Sequence, residues 1–317
     1  MNTHHIILGD CIKGMKTLPD GCIHTCITSP PYFGLRDYGG GDDEIGQEDT
    51  VEGFVNKMVE VFREVRRILR DDGTLWLNLG DSYMSAKNCV PPPQTQGGQR
   101  GMPSDFIPAN RKDQKGLKTK DLIGIPWRVA FALQADGWYL RQDIIWNKPN
   151  PMPESVEDRC TKAHEYIFLL SKKPHYYYDH EAIKEPVASS TIDRLNQENL
   201  ENQVGSSRVP GKTNGNMKAV GGTERRNKRS VWTVTTRSFK GAHFATFPKD
   251  LITPCILAGC PKDGIVFDPF TGSGTTAVVA LSNDRNFIGT ELNPDYVSLA
   301  EDRIAAEVPQ TLKDLFG

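Results

Sequence analysis

The sequence predicts an α/β fold: a mostly parallel sheet with helices on both faces. Three observations carry that expectation. Strand and helix signals alternate at both ends of the chain. The apolar run Gly264-Ile265-Val266-Phe267-Asp268 passes into a glycine-rich turn that opens a helix. An acid, Glu291, ends a further apolar strand 19 residues beyond Gly272.

Taken in order, His5–Leu8 and Cys22–Thr28 read as short buried strands, with a helical turn near Ile12–Leu18 between them. Val51–Arg70 is the clearest helix. Phe54, Val55, Met58, Phe62, Val65 and Leu69 recur at three and four residues, while Lys57, Glu60, Arg63 and Arg67 lie on the other face. Asp71-Asp72-Gly73 is expected to stop it before a strand at Thr74–Leu79. The stretch from Tyr83 to Thr119 is rich in Gly, Pro, Gln and Lys and reads as a long exposed loop. A helix near Leu122–Asp136 and strands at Leu140–Trp146 and Tyr166–Ser171 follow. After a polar, basic stretch from about Ser189 to Lys240 come a helix opened by Pro248, a strand Ile265–Asp268 and a helix Thr275–Ser282. A strand Phe287–Glu291 and a last helix Pro294–Ala306 complete the pattern.

The chain has 317 residues, enough for one large α/β domain or two modest ones with a full hydrophobic core. At 38% hydrophobic and 25% charged it is neither a disordered tail nor a coiled coil. Apolar runs such as Tyr166–Leu170 are far too short to cross a bilayer, and Met1–His5 has no secretory pattern. Seven cysteines include no C-x-x-C; Cys22/Cys26 and Cys255/Cys260 are the only close pairs. A reduced, cytoplasmic protein without a metal site is expected. The net charge of −2 argues against a polyanion partner, but its distribution does not. Residues 205–240 carry +8, which leaves −10 on the rest. A basic tract on an acidic body suits a nucleic acid, although a solvated loop gives the same composition.

Two constellations carry chemistry. In Asp268-Pro269-Phe270-Thr271-Gly272-Ser273-Gly274-Thr275-Thr276, the glycines let a ligand approach the backbone and the helix start offers free N–H groups. With Glu291 placed to take ribose hydroxyls, this reads as an adenosine-cofactor site. The glycine turn alone does not separate a nicotinamide cofactor from S-adenosyl-L-methionine. Only 26 residues follow Glu291, too few for a second nucleotide-binding half, and Asp268-Pro269-Phe270 is not part of the dinucleotide fingerprint. A charged residue there suits the ammonium of a methionine moiety, and an aromatic covers an adenosine or sulfonium. The second constellation, Thr28-Ser29-Pro30-Pro31-Tyr32, follows a buried strand directly. Its prolines turn the chain out at the strand's carboxyl edge. Ser29 offers a hydroxyl, Pro30 a carbonyl and Tyr32 an aromatic face, which suits a planar heterocycle bearing an NH2.

These residues resemble the amino-methylating DNA methyltransferases, which modify cytosine N4 or adenine N6. In that family the catalytic motif is [D/N/S]-P-P-[Y/F/W] and the cofactor strand ends D-P-F-x-G-x-G-T-T; catalytic motif first and cofactor motif last resembles the beta group. The resemblance implies a Rossmann-like S-adenosylmethionine-dependent methyltransferase fold with an inserted target-recognition region. Ser29, Pro30, Pro31 and Tyr32 then fall on the catalytic positions. The cofactor positions fall on Asp10, Cys11, Thr246, Phe247, Asp268, Phe270, Gly272, Ser273, Gly274, Thr275, Thr276 and Glu291. Gly9-Asp10-Cys11 resembles the piece that meets the cofactor's adenine, Ala163–Phe168 the strand beside the target-base pocket, and His243–Pro248 the segment over the methionine end. The implied organisation is a catalytic half (1–83), an exposed insertion (84–119), the rest of the catalytic half (120–188), a target-recognition region (189–240) and a cofactor-binding half (241–317). Only the insertion and the basic region match no shared motif.

The implied reaction is methyl transfer from S-adenosyl-L-methionine, without metal, to a base flipped out of double-stranded DNA. Arg225, Arg226, Lys228 and Arg229 are the leading phosphate contacts, and a cognate restriction endonuclease acting separately is a further expected partner. Within the family a serine at the first motif position goes mostly with cytosine N4 and aspartate mostly with adenine N6, so Ser29 favours N4; adenine N6 is the alternative. A nicotinamide-dependent oxidoreductase is a distant one, resting on Gly272, Gly274 and Glu291 alone. A bulky residue at Gly274 is expected to abolish cofactor binding and spare the fold. His164, Asp81 and Tyr176-Tyr177-Tyr178 read as supporting or packing residues rather than primary catalysts.

Overall fold

The computed structural model describes residues 2–34, 44–85, 114–197, 225–236 and 247–308. Thr246, most of the 84–119 insertion and residues 198–224 and 237–246 of the basic stretch and its continuation lie outside them. The chain divides into two compact units, Met1–Tyr178 with Ser230–Gly317, and Asp179–Arg229.

The larger unit opens with β1 (His4–Leu8), α1 (Cys11–Met15), β2 (Ile23–Thr28), α2 (Val51–Ile68), β3 (Leu69–Leu79), α3 (Ile125–Ala135), β4 (Tyr139–Asn147) and β5 (His164–Ser171). The smaller unit holds β6 (Glu185–Pro186), α4 (Ser189–Leu195) and β7 (Arg225–Arg226), with β6 and β7 paired antiparallel. The larger unit resumes with β8 (Val231–Thr233), α5 (Lys249–Gly259), β9 (Ile265–Asp268), α6 (Thr275–Leu281), β10 (Asn286–Glu291) and α7 (Pro294–Glu307). Its eight strands lie in the order β1-β10-β9-β2-β3-β5-β4-β8. Only β5 runs antiparallel to its neighbours; every other pairing is parallel. The expected mostly parallel α/β sheet is the one observed.

The helix read at Val51 begins there because Thr50 accepts from Gly53 N (3.0 Å) and Gln114 accepts from Val51 N (3.0 Å). Phe54, Met58, Val61, Phe62, Val65 and Ile68 form its fully buried stripe. The expected stop at Asp71-Asp72-Gly73 is misplaced. The helix ends at Ile68 and β3 starts at once, with Leu69 paired to Ile23. The turn residues instead form an irregularity inside the strand, before pairing resumes at Thr25 and Thr74. Gly73 is required there, since a Cβ would sit 2.7 Å from the Leu69 side chain and 3.0 Å from the Arg70 carbonyl. Pairing with β2 overrides the local stop signal.

β2, β3 and β9 are buried along nearly their whole length, as central parallel strands require. Their buried hydroxyls find partners within the sheet: Thr25 Oγ1 and Thr74 Oγ1 are 2.9 Å apart. Val231–Thr233, read at first as part of the basic stretch, adds to β4 as the edge strand. No helix among the described residues is long and apolar enough to cross a membrane.

Candidate active site

Five neighbouring parallel strands, β1, β10, β9, β2 and β3, all present their carboxyl ends to one edge of the sheet. Register places Leu8 beside Glu291, Gly289 beside Asp268 and Cys26 beside Phe267. The residues that follow these strands therefore assemble along one rim: Asp10, Glu291, Asp268 to Gly274, and Ser29 to Tyr32. This is where open α/β sheets bind ligands. A cavity of about 440 Å³ lies elsewhere, lined by Asp20, Arg63, Arg66, Arg67, Asp136 and Lys172. Its Arg63 and Arg67 are already paired with Asp136 and Asp20.

Asp268 is the hub of the rim. Its carboxylate is 2% exposed and accepts from Thr28 Oγ1 (2.7 Å), Phe270 N (3.0 Å) and Thr276 Oγ1 (2.6 Å). Three internal donors occupy most of the roughly four acceptor positions of a carboxylate. The Thr28 bond ties the end of β2 to the end of β9. Burial outweighs the three hydrogen bonds and raises the Asp268 pKa from 3.8 to about 6. The folded protein thus binds a proton there more tightly than the unfolded chain. This group's contribution therefore makes stability fall as pH rises from about 4 to about 6. The span corresponds to about 3 kcal/mol. Urea unfolding at pH 4.5, 5.5 and 6.5 should show that downward contribution in the native protein and its absence in Asp268→Asn; identical pH dependences would refute it.

The glycine turn is held from behind. Gly272 (φ +51°) and Gly274 (φ +75°) both occupy the left-handed region. Gly272 N donates to Glu291 Oε2 (2.8 Å), and Gly274 starts α6. Arg303, from α7, donates through Nη1 to the Ser273 carbonyl (3.1 Å), Ser273 Oγ (3.1 Å) and Thr275 Oγ1 (2.8 Å). The hydroxyls of Ser273, Thr275 and Thr276 are thus engaged internally, and all three residues are buried. What the turn leaves available is backbone. A Cβ at Gly272 would meet nothing nearer than the Phe270 carbonyl at 3.9 Å, and one at Gly9 would meet nothing within 4 Å.

Two acids, Glu291 and Asp10, flank the turn. Glu291 accepts one backbone N–H on each oxygen, from Gly272 and from Asn293 (2.9 Å), which leaves lone pairs for hydroxyl donors. Burial raises its pKa. Asp10 is half-buried and caps α1, accepting from Lys13 N (2.8 Å). Cys11 points into the core, 6% exposed, and burial with the adjacent Asp10 charge pushes its thiol up to about 12. It is a packing residue and no nucleophile. Phe270 is half-buried against the same core, and Phe247 is half-buried just ahead of α5.

At the end of β2, Ser29 is half-buried and Pro30 buried. No hydrogen bond to the Ser29 hydroxyl is formed among the described residues. The Tyr32 ring lies against Gly80, where a Cβ would come within 2.5 Å of it. Its hydroxyl donates to Glu165 Oε2 (2.9 Å). The loop is backed by Gly46, where a Cβ would sit 3.2 Å from the Tyr32 carbonyl.

With this geometry in place, comparison with known proteins is decisive. The family model described as DNA methylase matches residues 23–302. The chain belongs to the amino-methylating DNA methyltransferases. The Type II methyltransferase M.Cfr9I of Citrobacter freundii is 46% identical over 308 residues, 97% of this chain and 89% of that protein. M.SmaI of Serratia marcescens is 46% identical over 94% of this chain and 90% of its own length. The solved PvuII DNA methyltransferase (cytosine-N4-specific) superposes with a TM-score of 0.63 over 96% of this chain and 86% of that one, at 19% identity. The M1.HpyAVI–SAM complex gives 0.53 over 95% and 99%, at 16% identity.

In the methyltransferase the residues read as supporting have defined places. Asp81 accepts from Gly124 N (3.0 Å) and Ile125 N (3.1 Å), capping α3. The His164 ring stands edge-on to Tyr166, 5.3 Å between centroids. Tyr178 stacks on buried Trp76 at 6.2 Å. Of the four basic residues, Arg226 and Arg229 both donate to Glu185 (3.0 and 2.7 Å), and Arg225 donates to the Lys184 carbonyl (2.6 Å), all within the smaller unit. Sequence reasoning missed Arg303, which braces the glycine turn, and Lys148, which pairs with the Glu165 that accepts the Tyr32 hydroxyl. Arg303 shows only an i,i+4 spacing to Glu307, and Lys148 only a position after an apolar strand. Among the described residues no group of three or more His, Cys, Asp or Glu could hold a metal ion.

Proposed function

We propose that this DNA methyltransferase transfers the methyl group of S-adenosyl-L-methionine to the exocyclic N4 amine of a cytosine flipped out of double-stranded DNA. One observation carries the reading. The Ser29–Tyr32 turn and the cofactor turn leave adjacent parallel strands at one edge, joined by the 2.7 Å bond from Thr28 to Asp268. Acceptor groups for an amine are thus tied to a turn suited to an adenosine.

S-Adenosyl-L-methionine supplies an electrophilic methyl group on a sulfonium. Glu291 would hold the ribose, Asp10 lie near the adenine, and the backbone at Gly272 lie close to the bound nucleoside. Ser29 Oγ and the Pro30 carbonyl would each accept one amine hydrogen. That favours a pyramidal nitrogen whose lone pair, otherwise delocalised into the ring, points at the methyl carbon. Tyr32 stacks on the base. As the nitrogen–methyl bond forms the sulfur–methyl bond would break, the thioether would leave, and the surplus amine proton would pass to solvent, with positioning and local electrostatics carrying most of the rate. Similarity to Type II methyltransferases supports a role as the modification half of a restriction pair, with a separate endonuclease.

Nucleosides digested from DNA methylated in vitro, resolved by mass spectrometry, test the base: N4-methylcytosine is expected. N6-methyladenine alone would move the assignment to the other base of the family. Neutralising Arg225, Arg226, Lys228 and Arg229 tests the DNA face. Each phosphate contact contributes roughly −0.9 to the log–log slope of affinity against salt. Arg226 and Arg229 already share Glu185, so the slope should flatten by fewer than four contacts. An unaltered slope would reduce the tract to a solvated loop.

A further inference from the structure

Tyr32 does not stand alone at the rim. Glu165, the second residue of β5, takes the Tyr32 hydroxyl on Oε2 at 2.9 Å, together with Asn78 Nδ2 from β3 at 3.3 Å. Its other oxygen receives the Lys148 ammonium, which also lies 4.2 Å from the centroid of the Trp146 ring. The Glu165 and Lys148 side chains are only 14% and 17% exposed, so solvent screens the pair little. Register makes this arrangement a product of the sheet. Glu165 pairs with Trp146 across the β4–β5 ladder, and Tyr166 pairs with Leu79 across β3–β5. The antiparallel β5 thus starts where β3 ends, at the edge that carries the catalytic turn.

We propose that Glu165, charge-balanced by Lys148, is a positioning residue for methyl transfer: through the Tyr32 hydroxyl it sets the orientation of the ring on which the target base stacks. The physical reason is torsional. A tyrosine ring packed on the backbone of Gly80 from one side retains its side-chain torsional freedom unless its polar end is tethered. The tether here is a hydrogen bond to a carboxylate, stronger than one to a neutral acceptor. The carboxylate is in turn held by donors from two other segments, so it cannot follow the ring. The inference rests on the proposed stacking of the flipped base on Tyr32.

The test is a double-mutant cycle of Glu165→Gln and Tyr32→Phe in the full chain. The DNA duplex would carry the methylated sequence found by long-read sequencing, with the target cytosine intact for turnover and 2-aminopurine at the position next to it to report flipping. Glutamine keeps most of the shape, and phenylalanine keeps the ring while removing the tether. Glu165→Gln should lower kcat and the 2-aminopurine fluorescence rise about fivefold when Tyr32 is present. It should change neither beyond about twofold in the Tyr32→Phe background, since contacting residues on one path couple. Affinity for S-adenosyl-L-methionine by calorimetry should stay within about twofold in all four proteins. Equal losses in both backgrounds would overturn the positioning role and leave base flipping intact. Absence of any fluorescence rise in the native protein would instead remove the flipped-base reading on which this one rests. Should Glu165→Gln prove unstable, Lys148→Met/Glu165→Gln, which leaves no buried charge, runs the same cycle.

Discussion

Replacing Ser29 by alanine is expected to cut turnover roughly hundredfold or more while affinity for S-adenosyl-L-methionine stays within about twofold. The magnitude follows from loss of one preorganised group aimed at the reacting centre. The split follows from geometry. Ser29 leaves the end of β2, whereas the groups assigned to the cofactor leave β1, β9 and β10. The side-chain bond that joins the two sets among the described residues runs through Thr28, which the substitution does not touch. An interaction made chiefly in the transition state lowers kcat and kcat/KM together. No described residue hydrogen-bonds to the Ser29 hydroxyl, so its removal strands no buried partner and the melting temperature should hardly move. Turnover within threefold of the native protein would show that Pro30 alone orients the amine. A large loss of cofactor affinity would mean that Ser29 belongs to the other set.

The second large effect separates two glycines that look equivalent in the sequence. A bulky residue at Gly274 was the natural choice for destroying the cofactor turn and sparing the fold, and the packing corrects that choice. A Cβ on Gly274 would lie 2.9 Å from Ala300 Cβ and 3.2 Å from Ala300 Cα, with α7 behind it and a φ of +75° against it. Even Gly274→Ala must push α7 away, and the left-handed conformation adds about 1–2 kcal/mol. Gly274→Ala should therefore lower the melting temperature by several degrees, and cofactor affinity with it. Gly272→Ala carries a similar torsional cost with no such clash, since its Cβ enters open space. Its melting temperature should fall only slightly while affinity for S-adenosyl-L-methionine falls tenfold or more, as the new methyl group occupies the ligand's approach. Calorimetry and thermal denaturation on both variants check this. Unchanged affinity in Gly272→Ala would place the cofactor away from this turn.

Much of this was written locally. Strand-to-turn-to-helix at Ile265–Leu281 is an apolar run followed by glycines and a helix-forming stretch, and its boundaries were readable to within a residue because each signal acts over a few positions. The same holds for Ile23–Thr28 before Ser29-Pro30-Pro31, where proline ends a strand whatever surrounds it. Two motifs in a fixed order were enough to indicate the family. The break at Asp71-Asp72-Gly73 went astray because pairing with β2 is stronger than a local stop signal.

What the sequence alone determined, then, is what contiguous residues carry: a Ser-Pro-Pro-Tyr turn and a glycine-rich turn, each leaving a buried strand. Only the tertiary structure decided which groups hold them. Asp268 proved to be the buried link to Thr28, 240 residues away in the chain; Arg303 braces the turn from 28 to 30 residues downstream; Glu165 tethers Tyr32 from 133 residues away. None of these partners has a fixed spacing, since each depends on strand order and register. A sheet brings distant residues within hydrogen-bond reach only after its strands have paired, and no local propensity encodes that pairing.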